Sequence, residues 1–143
     1  MYIDSQTRFS EDQDLAGVAA GIVNSTNVVD LGVADAKNSS DAKIWVQVTE
    51  EFANTSYNAT LQIRLITADN ASMSSYTVLL DTGAIAQTSG TVGIPAGYQP
   101  PAFNNLPRNA KQYLQMRYTV GTTDFSESGK ISAGIILDRQ TEV

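Results

Sequence analysis

The sequence contains no cysteine and no histidine. Without cysteine there is no disulfide framework, no thiolate zinc site and no thiol nucleophile. That absence leaves the compartment open, because reducing and oxidising surroundings both tolerate it. Without histidine the commonest general base and the commonest transition-metal ligand are missing, and a Ser-His-Asp arrangement is excluded. Acid, amine or phenol chemistry remains formally open to such a chain. The expectation is nevertheless a protein that is not an enzyme, with no catalytic, metal or cofactor-binding residues.

Positive charge is also scarce. Nine Lys and Arg face fifteen Asp and Glu, for a net charge of −6. The nine are scattered: Arg8, Lys37, Lys43, Arg64, Arg108, Lys111, Arg117, Lys130 and Arg139. A chain without a basic patch is not expected to bind nucleic acid. No apolar run approaches the length of a membrane span, so no membrane partner is expected. The first residues, Met1-Tyr2-Ile3-Asp4-Ser5-Gln6, have neither a basic region nor an apolar core, so no secretory signal is read there.

What is present is period-two alternation. The 143 residues suit one domain, long enough to bury roughly two thirds of its unfolded surface. Ile44, Val46 and Val48 alternate with Trp45, Gln47 and Thr49; Leu61, Ile63 and Leu65 with Gln62, Arg64 and Ile66. Tyr76, Val78 and Leu80 alternate with Thr77, Leu79 and Asp81. Leu114 to Val120 and Ile131 to Leu137 repeat the pattern. Successive strand side chains point to opposite faces, so each run offers one face to a core. Shorter candidates are Asn27 to Leu31, Thr91 to Ile94 and, weaker, Ala84 to Gln87. Turn clusters separate them at Asp35 to Asp41, Asn54 to Asn58, Asp69 to Ser75, Asp81 to Gly83 and Gly121 to Gly129. The fold class read from this pattern is all-β, a two-sheet antiparallel β-sandwich, with a jelly roll the leading architecture and an immunoglobulin-like sandwich the alternative.

Ser10 to Gly21 is the one helical candidate, with a loose 3.6-residue period in Leu15, Val18, Ala19 and Ile22. An extended arm is the preferred reading there. The chain then divides into an N-terminal arm, residues 1–14, and a single sandwich domain, residues 15–143. All four prolines, Pro95, Pro100, Pro101 and Pro107, fall in one segment with Tyr98 and Phe103. Proline fixes φ and lacks a ladder donor, so the segment is a stiffened loop. Two readings compete for it: a functional loop, or a crossover whose aromatics cap the sandwich edge.

Other candidates for chemistry are better read as surface. Glu11, Asp12 and Asp14 offer oxygen ligands but not the EF-hand spacing. Glu50 and Glu51 are adjacent on a strand and so face opposite sides, which prevents them from working as a close carboxylate pair. Sequons at Asn24, Asn38, Asn54, Asn58 and Asn70 are read as chance in loops rich in Asn, Ser and Thr. Trp45, Tyr57, Tyr76, Tyr98 and Phe103 suit core packing or a protein interface better than a sugar platform.

Two stretches carry a family resemblance. One is Met1-Tyr2-Ile3-Asp4-Ser5-Gln6 with Phe9-Ser10 and Ser25-Thr26-Asn27-Val28-Val29-Asp30-Leu31-Gly32. The other is Tyr113-Leu114-Gln115-Met116-Arg117-Tyr118-Thr119-Val120-Gly121-Thr122 with Ser132-Ala133-Gly134-Ile135-Ile136-Leu137-Asp138-Arg139-Gln140. Both resemble the jelly-roll capsid cement (decoration) proteins of tailed bacteriophages. The likeness frames the chain at its two ends; Val33 to Lys111 matches only in strand-like texture. It implies a structural virion protein, made in the bacterial host cytoplasm and held on the outer capsid surface. Such a protein bridges neighbouring major capsid subunits, stabilises the shell, self-associates as a dimer or trimer, and has no activity or cofactor. A carbohydrate- or receptor-binding β-sandwich of a virion is the alternative.

The expected capsid or partner interface comprises three regions. The arm supplies Tyr2, Ile3, Asp4, Ser5, Gln6 and Phe9, with Tyr2, Ile3 and Phe9 as apolar anchors. The proline loop supplies Tyr98, Pro100, Pro101 and Phe103, and the C-terminal tail supplies Arg139.

Overall fold

The computed structural model describes residues 8–30, 42–54, 58–86, 93–100, 103, 111–121 and 123–137. Eight strands occur among them: β1 (Arg8–Asp14), β2 (Gly21–Asn24), β3 (Val29–Asp30), β4 (Ala42–Ala53), β5 (Thr60–Ala68), β6 (Thr77–Ala86), β7 (Tyr113–Gly121) and β8 (Ser128–Leu137). The described residues include no helix.

The strands form two antiparallel sheets. One has the order β1-β8-β4. The other has the order β2-β7-β5-β6, with β3 also pairing β7. Along β4, the chain around residues 94–98 adds a further row of backbone bonds. Phe52 and Ile94 exchange both N–H···O bonds, at 2.9 and 3.0 Å; Val48 N–H donates to Tyr98 O at 2.9 Å and Gly97 N–H to Val48 O at 2.7 Å. The pairs are therefore nested: β1 with β8, β2 and β3 with β7, β4 with residues 94–98, and β5 with β6. The chain is one long hairpin rolled into two layers, which is the wrap of a jelly roll.

The alternation seen in the sequence explains the packing. Ile44, Val46 and Val48 of β4, Ile131, Ala133 and Ile135 of β8, and Phe9 of β1 are buried from one sheet. Leu61, Ile63 and Leu65 of β5 and Leu114, Met116, Tyr118 and Val120 of β7 meet them from the other, in one continuous core. Each Val, Leu, Ile, Phe or Met among them contributes roughly 1.5–3 kcal/mol on leaving water. At one end, Phe52 and Phe125 pack edge to face, with ring centroids 5.0 Å apart. Gly129 lies so close to the Phe52 ring that a Cβ there would collide with it, so this β8 position requires glycine.

Two boundaries differ from the sequence reading. Arg8–Asp14 is not part of a free arm but a strand, in register with β8 from Arg8 opposite Gly134 to Asp14 opposite Lys130. Phe9, expected as an anchor for a partner, is fully buried in this protein's own core, and so is Leu15. The sandwich thus begins at β1. Ser10 is buried as well; its hydroxyl lies 2.8 Å from the Tyr118 hydroxyl and donates to Gln13 Oε1 at 2.6 Å. Second, Asp81 to Gly83 is not a turn between strands. β6 runs through it from Thr77 to Ala86, and the extra residues form a bulge with Gly83 at φ 71°.

Candidate interaction surface

With the odd-numbered residues of β5 and the even-numbered residues of β7 directed into the core, their alternates form the outer face of the β2-β7-β5-β6 sheet. Registration aligns those alternates in rows across the strands. One row runs Ile22, Thr119, Gln62, Ala84. The next runs Asn24, Arg117, Arg64, Asp81. A third holds Gln115, Ile66 and Val78.

This face has unusual contents. Among the described residues three large apolar side chains are exposed: Ile22 at 59%, Val78 at 43% and Tyr76 at 38%. Ile22 and Val78 flank the rows at opposite edges. The Tyr76 ring carries the Arg117 guanidinium, whose carbon is 4.4 Å from the ring centroid. All three therefore belong to one face. The hairpin joining β5 to β6 is tied by Asn70, whose Oδ1 accepts from Ser72 Oγ at 2.7 Å and from Ser74 N and Oγ, each at 3.2 Å. It holds Met73 over Ile66 and Ala68 in a second, smaller apolar cluster beside Val28 and Tyr113.

The central row is polar and charged. Arg64 and Arg117 stand directly opposite one another on β5 and β7, a like-charge pairing that is unfavourable in itself. Arg117 Nε donates to Asn24 Oδ1 at 3.0 Å. Arg64 Nε is 3.3 Å from Asp81 Oδ2, within ion-pair range, yet its N–H makes no hydrogen bond there. The contact is Coulombic and misaligned. Asp81 Oδ1 instead accepts from Gln62 Nε2 and from Gly83 N–H, each at 2.8 Å. Those hydrogen bonds, the Gln62 amide foremost, hold the Asp81 carboxyl below its ordinary value of 3.8, and Arg64 adds to the effect. Thr119 Oγ1 and Gln115 Oε1 on the same face are buried without a hydrogen-bond partner.

The residues expected at an interface fall elsewhere. Tyr2, Ile3, Asp4, Ser5, Gln6, Pro101 and Arg139 lie outside the described residues. Phe103 is only 7% exposed and joins the core; Tyr98 is half-buried against it, and Pro100 is buried. Both aromatics of the proline segment thus pack on this protein's own core. Sequence reasoning missed Ile22, Val78, Arg64 and Arg117 as one surface. Alternation had put Arg64 and Arg117 opposite the core positions of their strands, but only strand register brings them together.

A family model matches residues 9–135, that of Bbp16, a phage-associated family. The matched span runs from Phe9 to Ile135, the first and last residues of the core cluster. No curated protein matches the chain. With most of its length covered, including all the strand pairs that build the sandwich, this chain belongs to the Bbp16 family.

Proposed function

We propose that this protein is a capsid cement protein, which binds the outer surface of a tailed-phage head, bridges neighbouring major capsid subunits and stabilises the shell. The observation that carries this reading is the gathering of Ile22, Tyr76 and Val78 on one outer sheet face of a rigid sandwich. Large apolar side chains exposed together on one face, with Tyr and Arg among them, suit a protein interface. Membership of a phage-associated family and the resemblance of both chain ends to cement proteins support it.

The role requires binding energy and no chemistry. A specific interface buries ~1,600 Å², and a few aromatic or Arg anchors supply most of its strength. A ligand that binds only the assembled shell stabilises it by mass action, and many copies on one lattice reinforce each other. Under this reading the partners are the major capsid protein and further copies of this chain, as dimer or trimer. Under the same reading Tyr2 and Ile3, ahead of β1, are apolar contacts for the shell. The protein is neither an enzyme nor a cofactor carrier, and its place is the outer surface of the virion.

Co-sedimentation of the purified protein with expanded empty capsids of its phage, with unexpanded procapsids beside them, tests the proposal. Saturable binding to the expanded shell is expected. A folded protein that binds neither shell would overturn it and favour a carbohydrate- or receptor-binding module.

A further inference from the structure

We propose that Arg64 and Arg117 form a carboxylate-binding site, and that its occupant is an acidic segment of the shell protein. The inference rests on the cement reading and names the chemistry of that contact.

Arg64 and Arg117 are register partners on the two inner strands of the sheet, on its outer face, where nothing about the fold requires them. The one carboxylate in their row is Asp81, and it is already tied to Gln62 and Gly83. The row thus keeps a surplus of one positive charge, on a molecule whose net charge is −6. Among the described residues, the only polar partners of these arginines are reached through Nε: Asn24 for Arg117 and Asp81 for Arg64. Among the described residues no hydrogen bond joins the terminal amino nitrogens of either fork. An Arg fork matches a carboxylate with two parallel N–H···O bonds, and two arginines at directly opposed register positions suit a carboxylate-bearing strand or loop. The Tyr76 ring holds the Arg117 plane from one side, so the fork gives up little freedom on binding. Around this centre Ile22 and Val78 supply apolar contacts that would exclude water from the ion pair. The like-charge opposition of Arg64 and Arg117, unfavourable in the free protein, would be relieved by an acidic partner.

The test is a double cycle on expanded empty capsids. One arm uses Arg64→Gln/Arg117→Gln and the charge-keeping Arg64→Lys/Arg117→Lys. The other arm uses capsids whose surface carboxylates have been capped with glycinamide by carbodiimide coupling, their integrity checked by electron microscopy. Circular dichroism and the melting temperature establish that each variant retains the fold. Wild type is expected to bind untreated shells at least about tenfold more tightly than the Gln variant, with the Lys variant between them. Capping should weaken wild type by a similar factor and leave the Gln variant unchanged, so that the two losses do not add. If a folded Gln variant binds untreated shells like wild type, the site is wrong while the cement reading stands. Capped shells that hold wild type as before would overturn the carboxylate as ligand. A wild-type oligomer that dissociates on the Gln substitutions without any shell present would place a second copy on this face and overturn the proposal. If wild type binds no shell at all, the cement reading fails first and this inference with it.

Discussion

The hydroxyl of Tyr118 sits in the middle of the sandwich, satisfied by Ser10 from a strand 108 residues away. Ser10 spends its own proton on Gln13, so Tyr118 is the donor in that pair. Burial pushes the Tyr118 phenol well above its ordinary 10.0, because the phenolate would lie in the core; the Ser10 contact opposes the shift without cancelling it. A folded value above the unfolded one means that the contribution is complete below pH 10 and is lost as the pH rises beyond it. Tyr118→Phe is expected to cost about 1 kcal/mol in urea unfolding at pH 8. Its deficit against wild type should shrink at pH 11, since the variant has no phenol to ionise. Asp81 has the opposite sign. Its folded value is depressed below 3.8, so its contribution is present above about pH 4 and fades as the pH falls through the folded value. Wild type should therefore exceed Asp81→Asn in stability at pH 6, by a small margin for a side chain 40% exposed, with the margin vanishing in acid.

The strands divide by how they announce themselves. β4, β5, β7 and β8 were legible because each carries at least three alternating apolar residues that bury a face on its own account. β1 was not. In Arg8–Asp14 only Phe9 is apolar, and what makes the segment a strand is the ladder offered by β8. Local pattern cannot report a partner more than a hundred residues away. β6 was read as two pieces because Asp81-Thr82-Gly83 has turn composition, and a bulge uses the same residues as a turn. The candidate surface was the least legible feature. Its members are ordinary outward residues on four strands, and register alone assembles them. The burial of β1 sharpens the test of the arm. Deleting residues 1–7 should leave the urea midpoint near wild type while weakening shell binding. Deleting residues 1–10 removes Phe9 and Ser10, at a cost of at least the ~3–5 kcal/mol of a truncated buried Phe, a large part of the ~5–15 kcal/mol that holds a domain together.

At the scale of the molecule, one sheet is closed by its last strand. β8 lies between β1 and β4, pairing with β4 from Ser128 to Leu137 and with β1 from Lys130 to Gly134. The other sheet is completed earlier in the chain, by β7 between β5 and the β2–β3 edge. A chain ending at Gly121 therefore keeps every pairing of the second sheet and loses every strand pairing of the first. It is expected to be insoluble on expression, since the inner faces of β1 and β4 and their backbone edges would stand open. Circular dichroism and size-exclusion chromatography of any soluble fraction check this; a monomeric, folded product would contradict it.

The central position of β8 also places the folding of this protein in time. On the ribosome, β1 and β4 emerge long before β8, the strand that must come between them. Completion of the first sheet therefore waits for β8, and its many distant pairings make it slow. Until then two strand edges wait unpaired, and every other nascent copy offers the same edges. How many folded copies a cell yields is thus set by a race between closure around β8 and contact with a neighbour, and a cooler or slower-expressing host would favour closure.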